Sequence, residues 1–73
     1  MINYDLERIA ENIKVLRIKR KWKFSYIAQN AGIEEDRLRK MEKAEVIPKY
    51  KELYRISRLY AVTIDDLVFK KLE

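Results

Sequence analysis

The sequence contains no cysteine and no histidine, and it has only one glycine and one proline. The first two absences exclude disulfides, thiolate nucleophiles, imidazole bases and soft-ligand metal sites of the zinc type. Whatever chemistry the chain performs falls to carboxylates, amines, guanidinium groups and hydroxyls. So few glycines and prolines leave little room for loops. Long apolar runs are missing as well. Charged residues make up 40% of the chain and interrupt every hydrophobic stretch long before the roughly 20 residues that cross a bilayer. The first residues lack the apolar core of a signal peptide, so no membrane association is expected and the expected location is cytoplasmic.

What is present suits amphipathic helices: 48% hydrophobic residues are interspersed with the charged ones, a balance that argues against general disorder. A chain of 73 residues buries only about 60% of the surface its unfolded form exposes, which allows one modest core. A single domain over residues 1–73 is therefore expected. The net charge of +5 favours polyanionic partners, either nucleic acid or an acidic membrane surface, without choosing between them.

Apolar residues recur at three- and four-residue steps from Leu6 to Ile18: Leu6, Ile9, Ala10, Ile13 and Leu16, with Val15 at the margin. Glu7, Arg8, Glu11, Asn12, Lys14 and Arg17 fall between them, and the pattern predicts a first helix with these residues on its polar side. Either Asn3 or Asp5 suits its N-cap. The stretch Lys19 to Lys23 ends the periodicity, with Trp22 expected to point into the core. A second helix is predicted from Phe24 to Ala31, closed by Gly32 in a left-handed conformation. A third runs from about Glu34 to Lys43 with Leu38 and Met41 inward. Residues 44–47 form a connection, Pro48 suits the first turn of a fourth helix reaching Tyr60, and Leu53, Ile56, Leu59 and Tyr60 form its inner face. Thr63 with Asp66 reads as a capping box that opens a fifth helix carrying Ile64, Leu67 and Val68 toward the core.

The most specific pattern spans about residues 24–43. Two short helices crossing near a right angle need a small residue where their backbones approach, a flexible residue in the turn and apolar residues on both inner faces. Ala28 is the small residue, Gly32 the turn, and Ile27, Ala31, Ile33, Leu38 and Met41 the apolar set. With its flanks, the segment from about Ile9 to Val68 resembles the Cro/C1-type (XRE-like) helix-turn-helix transcriptional regulator family. Arg17 and Glu42 stand where that family places an ion pair between its first and third helices. Val62 to Leu67 match its final helix start.

The resemblance implies an all-α, compact, five-helix lambda-repressor-like domain that binds double-stranded DNA as a homodimeric repressor on paired half-sites, with the third helix in the major groove. Carried over residue by residue, Glu35, Asp36 and Lys40 occupy base-reading positions. Arg37 and Arg39 are outward neighbours able to reach phosphates or bases. Lys23, Phe24 and Ser25 stand at the phosphate-gripping start of the second helix, and Lys43 ends the third. Three positions depart from the family pattern: the acidic run Glu34, Glu35 and Asp36, Phe24 in place of a glutamine, and Ala44 in place of a glycine. The acidic run suits the positive end of a helix dipole, and Glu or Asp can also accept from cytosine. Lys14, Arg17, Lys19, Arg20, Lys21 and Lys23 form a stretch free of acid beside the phosphate-facing edge.

Phe69, Leu72, Val68, Tyr50, Tyr54 and Tyr60 are candidates both for a dimer patch and for the core. The acidic third helix near Phe24 also supports an alternative, a scaffold that binds a protein partner as a small inhibitor or antirepressor. An enzyme is not expected: Asp65 and Asp66 sit where a helix start favours negative charge, with no nucleophile, phosphate loop or metal set beside them, and no cofactor is implied.

Overall fold

The computed structural model describes residues 5–72, which form five helices and their connections. In order these are α1 (Leu6–Arg20), α2 (Phe24–Ala31), α3 (Glu35–Glu42), α4 (Tyr50–Tyr60) and α5 (Ile64–Phe69). The all-α, five-helix architecture agrees with the sequence reading. Asp5 caps α1, its carboxylate accepting from the Arg8 N–H at 3.1 Å; Asn3 lies outside the described residues. The helix runs past Ile18 because Lys19 and Arg20, though not apolar, are good helix formers. It stops where Lys21 turns left-handed at φ 57°.

Helix ends repeat that device. Gly32 closes α2 at φ 68°, as expected for a residue without Cβ. Ala44 follows α3 at φ 58° and Ala61 follows α4 at φ 57°, both with a methyl group in the same costly region. The fourth helix begins two residues later than Pro48. Lys49 keeps an extended conformation and takes the cap position, while the Glu52 carboxylate accepts its N–H at 2.8 Å. Pro48, with fixed φ, sets the approach of the chain instead of the first turn. At α5 the capping box forms as read: Thr63 Oγ1 accepts from the Asp66 N–H at 2.9 Å, and Asp66 accepts from the Thr63 N–H at 3.2 Å.

The helices enclose one core. α1 packs on α3 and α5, α2 on α3 and α4, and α4 on α5. Ile9, Ile13, Ile27, Ala31, Ile33, Leu38, Met41, Leu53, Ile56, Tyr60, Leu67 and Val68 are buried together. Leu59 and Ile64 lie at its rim. Trp22 packs against this core, stacked on Tyr60 at 5.2 Å and tilted against Tyr26 at 4.9 Å. Burial pushes the Tyr60 phenol up to about 12.

One polar residue contradicts its predicted side. Asn12, assigned to the polar side of α1, is 0% exposed. Its Nδ2 donates to the carbonyls of Leu67 at 2.8 Å and Lys70 at 2.6 Å, and its Oδ1 accepts from the Leu72 N–H at 2.9 Å. α5 has no left-handed residue at its end, since Lys70 is extended. Its last carbonyls would otherwise lack donors, and Asn12 supplies them from across the core. The proposed dimer patch is divided in the same way: Tyr60 and Val68 belong to the core and Leu72 packs against it, whereas Tyr50, Tyr54 and Phe69 are exposed.

Candidate nucleic-acid interface

The pair α2 and α3, joined at Gly32, carries most of the residues singled out by the sequence. Lys23 precedes α2 in an extended conformation with no side-chain cap bond, and Ser25 is exposed in the first turn. Phe24 packs against the edge of the core. Its ring lies between two cations, Arg17 Cζ at 4.3 Å and Arg39 Cζ at 4.9 Å from the centroid. Arg55 of α4 reaches back to the turn, Nη1 donating to the Gly32 carbonyl at 3.4 Å.

α3 exposes Glu34, Asp36, Arg39, Lys40 and Lys43 at its ends and along its outer side, with Glu35 half-buried. Its acidic residues are not left facing solvent alone. Glu35 pairs with Arg39 at 3.2 Å and Asp36 with Lys40 at 3.3 Å, each one turn along the helix with the acid on the N-terminal side. That order suits both the pair and the dipole. The outer surface of α3 is thus a ladder of paired charges, not an acidic patch.

Two further ion pairs hold α3 from the sides. Arg17 donates to both oxygens of Glu42, at 2.7 and 3.0 Å, tying α1 to the C-terminal end of α3. This is the pair that the resemblance implied. The bidentate bond to Glu42 holds the Arg17 guanidinium still more firmly protonated, against the opposing effect of burial.

The second pair was not foreseen. Arg37, expected to reach outward, turns instead to α4, where its guanidinium donates to both oxygens of Glu52, one at 2.9 Å, and to the Ile47 carbonyl at 3.3 Å. These bonds leave it engaged as a strut, not extended toward a phosphate. Hydrogen bonding to Arg37 is the main cause that lowers the Glu52 carboxyl below its usual range, with the Lys49 N–H assisting. Glu52 carries a sequence signal that went unused: it stands four residues before Ile56, on the inner face of α4, and three after the cap.

The cationic stretch before α2 sorts into engaged and exposed members. Arg17 is bound to Glu42, and Arg20 donates to the Tyr60 carbonyl at 3.2 Å while lying over Trp22. Lys14, Lys19, Lys21 and Lys23 are exposed. Elsewhere, Asp66 is committed to its cap and to Lys70 at 2.9 Å. Among the described residues no group of three acidic side chains lies close enough to hold a metal ion, and no helix is long and apolar enough to cross a membrane.

Five helices around one core, with the second and third joined by a left-handed glycine, define the fold of helix-turn-helix repressor DNA-binding domains. Among solved structures the chain is similar to the P22 c2 repressor protein, determined in complex with synthetic operator 9T in the presence of Tl+. The TM-score is 0.80 at 21% sequence identity, over 85% of this chain and 94% of that one. At that identity the likeness is one of fold. No family model matches the sequence, and no curated protein matches it either.

Proposed function

We propose that this chain is a sequence-specific DNA-binding transcriptional regulator, acting as a homodimeric repressor on paired half-sites with α3 in the major groove. The observation that carries the reading is the likeness, across most of both chains, to a repressor solved on its operator. The reading places Lys40, Asp36 and Glu35 toward base edges, with Arg39 beside them. Lys23, Ser25 and Lys43 flank the phosphates, and Phe24 and Arg37 serve the geometry of the helix pair. Paired acids on α3 suit this role better than free ones, since an approaching phosphate meets Arg39 and Lys40 along with each carboxylate. Exposed Tyr50, Tyr54 and Phe69 offer apolar area for a second copy, and they equally favour the second reading, a scaffold for a protein partner.

The test is selection from a randomised duplex library, followed by a salt titration of the retained site. Contacts from the four exposed lysines 14, 19, 21 and 23 give an expected slope of roughly −3.6 in log K against log salt, from about −0.9 per neutralised phosphate. A palindromic site with that dependence supports a dimeric reader. Retention that is blind to sequence, or absent, favours the protein-binding scaffold.

A further inference from the structure

The surroundings of Phe24 form a small site of their own. Lys14 of α1, Arg39 and Glu42 of α3, and Lys43 just beyond α3 line a cleft of about 230 Å³ with the Phe24 ring in its wall. That volume falls below the several hundred Å³ typical of pockets for drug-sized ligands and suits a small ion. Its charge is positive. Both Glu42 oxygens are taken by Arg17, and Glu35 offsets Arg39 from the exposed side. Lys14 and Lys43 make no ion pair among the described residues.

Phenylalanine cannot bind an anion, but its ring faces hold Arg17 and Arg39 at cation–π distance. The Arg39 guanidinium is thereby kept beside the two amines without using its charge, and the apolar wall limits solvent screening there. We propose that Lys14, Arg39 and Lys43 form a phosphate-binding cleft, with Phe24 a positioning residue that holds Arg39 at its edge. The occupant is a phosphate group, from the DNA backbone if the regulator reading holds, or otherwise from a free phosphate compound. The DNA source rests on that reading.

The experiment has two arms, both on the full chain. In the first, inorganic phosphate is titrated into the 15N-labelled protein. Saturable shifts centred on the amides of residues 14, 24, 39 and 43, absent from the Lys14→Gln/Lys43→Gln double variant, are expected. Shifts spread evenly to Lys51 and Arg58 overturn the site. In the second arm the selected duplex is bound at several salt concentrations. The double variant is expected to flatten the slope by about 1.8, from two phosphate-linked cations, with the preferred sequence unchanged. DNA binding with an unaltered slope overturns the cleft and leaves the regulator reading standing. Localised phosphate shifts in a protein that binds no duplex support the cleft and remove the DNA reading.

For Phe24, Phe24→Leu is expected to weaken duplex binding roughly threefold to fivefold with the slope unchanged, and Phe24→Tyr to restore it. Equal loss in both variants, or a change confined to thermal stability, overturns the positioning role.

Discussion

α3 and α5 are anchored by opposite chemistry. α3 is held at each end by a guanidinium–carboxylate pair near the surface: Arg17–Glu42 with side chains 21% and 8% exposed, and Arg37–Glu52 with 32% and 9%. α5 is closed by one neutral amide, Asn12, wholly inside. The difference follows from desolvation. A charge carried fully into the core loses more hydration than a pair regains, whereas a neutral amide meeting three backbone groups leaves little unsatisfied. The charged anchors therefore sit at the rim, where one face of each guanidinium stays wet. They fix the helix proposed to meet DNA, and the amide fixes the end of the fold.

Breaking the amide anchor has the largest expected effect. Asn12→Leu leaves the Leu67 and Lys70 carbonyls and the Leu72 N–H without partners, and at roughly 1–3 kcal/mol for each buried unsatisfied group the loss is expected to be about 3 kcal/mol or more. A domain of this length has roughly 4–11 kcal/mol in total, so the urea midpoint should fall sharply. The loss should be nearly independent of salt. A change under about 1 kcal/mol would mean that α5 is held by its apolar face alone.

Next come the charged anchors, and they should differ from each other. Glu42→Ala strands the more buried guanidinium, Arg17, and about 2–3 kcal/mol is expected, less than for a fully buried pair because Arg17 keeps some solvent contact. Glu52→Gln, beside the more exposed Arg37, is expected to lose about 1–2 kcal/mol. Added salt should shrink both differences. Equal losses would break the link drawn between burial and strength.

The Glu52 pair also gives a pH signature. Its carboxyl is lowered in the folded state, so the pair's contribution is present above the unfolded value of 4.5 and is lost as pH falls through the folded one. Stability should therefore decline on acidification below about 4.5, and less steeply in Glu52→Gln. Some slope should persist there, because Asp66 is also lowered by its bonds to Lys70 and Thr63. Unfolding curves of both proteins from neutral to acid pH measure it, and identical slopes would remove Glu52 from the account.

The helix pair was legible because its signals are periodic and local: Ala28, Gly32 and the apolar set stand at fixed spacing, and burial follows. Arg17–Glu42 was legible through resemblance alone, since nothing in two residues far apart in sequence announces that they meet. Asn12, Arg37 and Glu52 were misread or passed over because polarity was taken as exposure. Position says otherwise for Asn12, which stands three residues after Ile9 and four before Leu16, within the apolar stripe. A polar residue on an inward face needs a partner, and the partner's identity depends on tertiary geometry that spacing does not contain. The start of α4 was misplaced for a related reason: Pro48 fits a first helical turn, but the Glu52 bond to the Lys49 N–H fixes the cap one residue further on.

The smallest expected effect sharpens the contrast between the two helix ends. α5 ends on an extended residue and depends on Asn12, while α3 ends on its own backbone, with Ala44 left-handed and its N–H donating to the Met41 carbonyl at 3.2 Å. An L-residue with a Cβ pays about 1 kcal/mol there relative to glycine. Ala44→Gly is therefore expected to raise stability by about 0.5–1 kcal/mol, the gain trimmed by the greater freedom of glycine in the unfolded chain. Gly32→Ala should do the reverse by a similar amount. The added Cβ would lie 3.6 Å from Arg55 Nη1, an ordinary contact, so backbone conformation alone sets its effect. Opposite signs of similar size would establish that α3 is closed by local backbone geometry, in contrast to α5. A loss in both variants would mean that the Ala44 methyl group packs usefully where it stands, and that the end of α3, like that of α5, depends on tertiary contact.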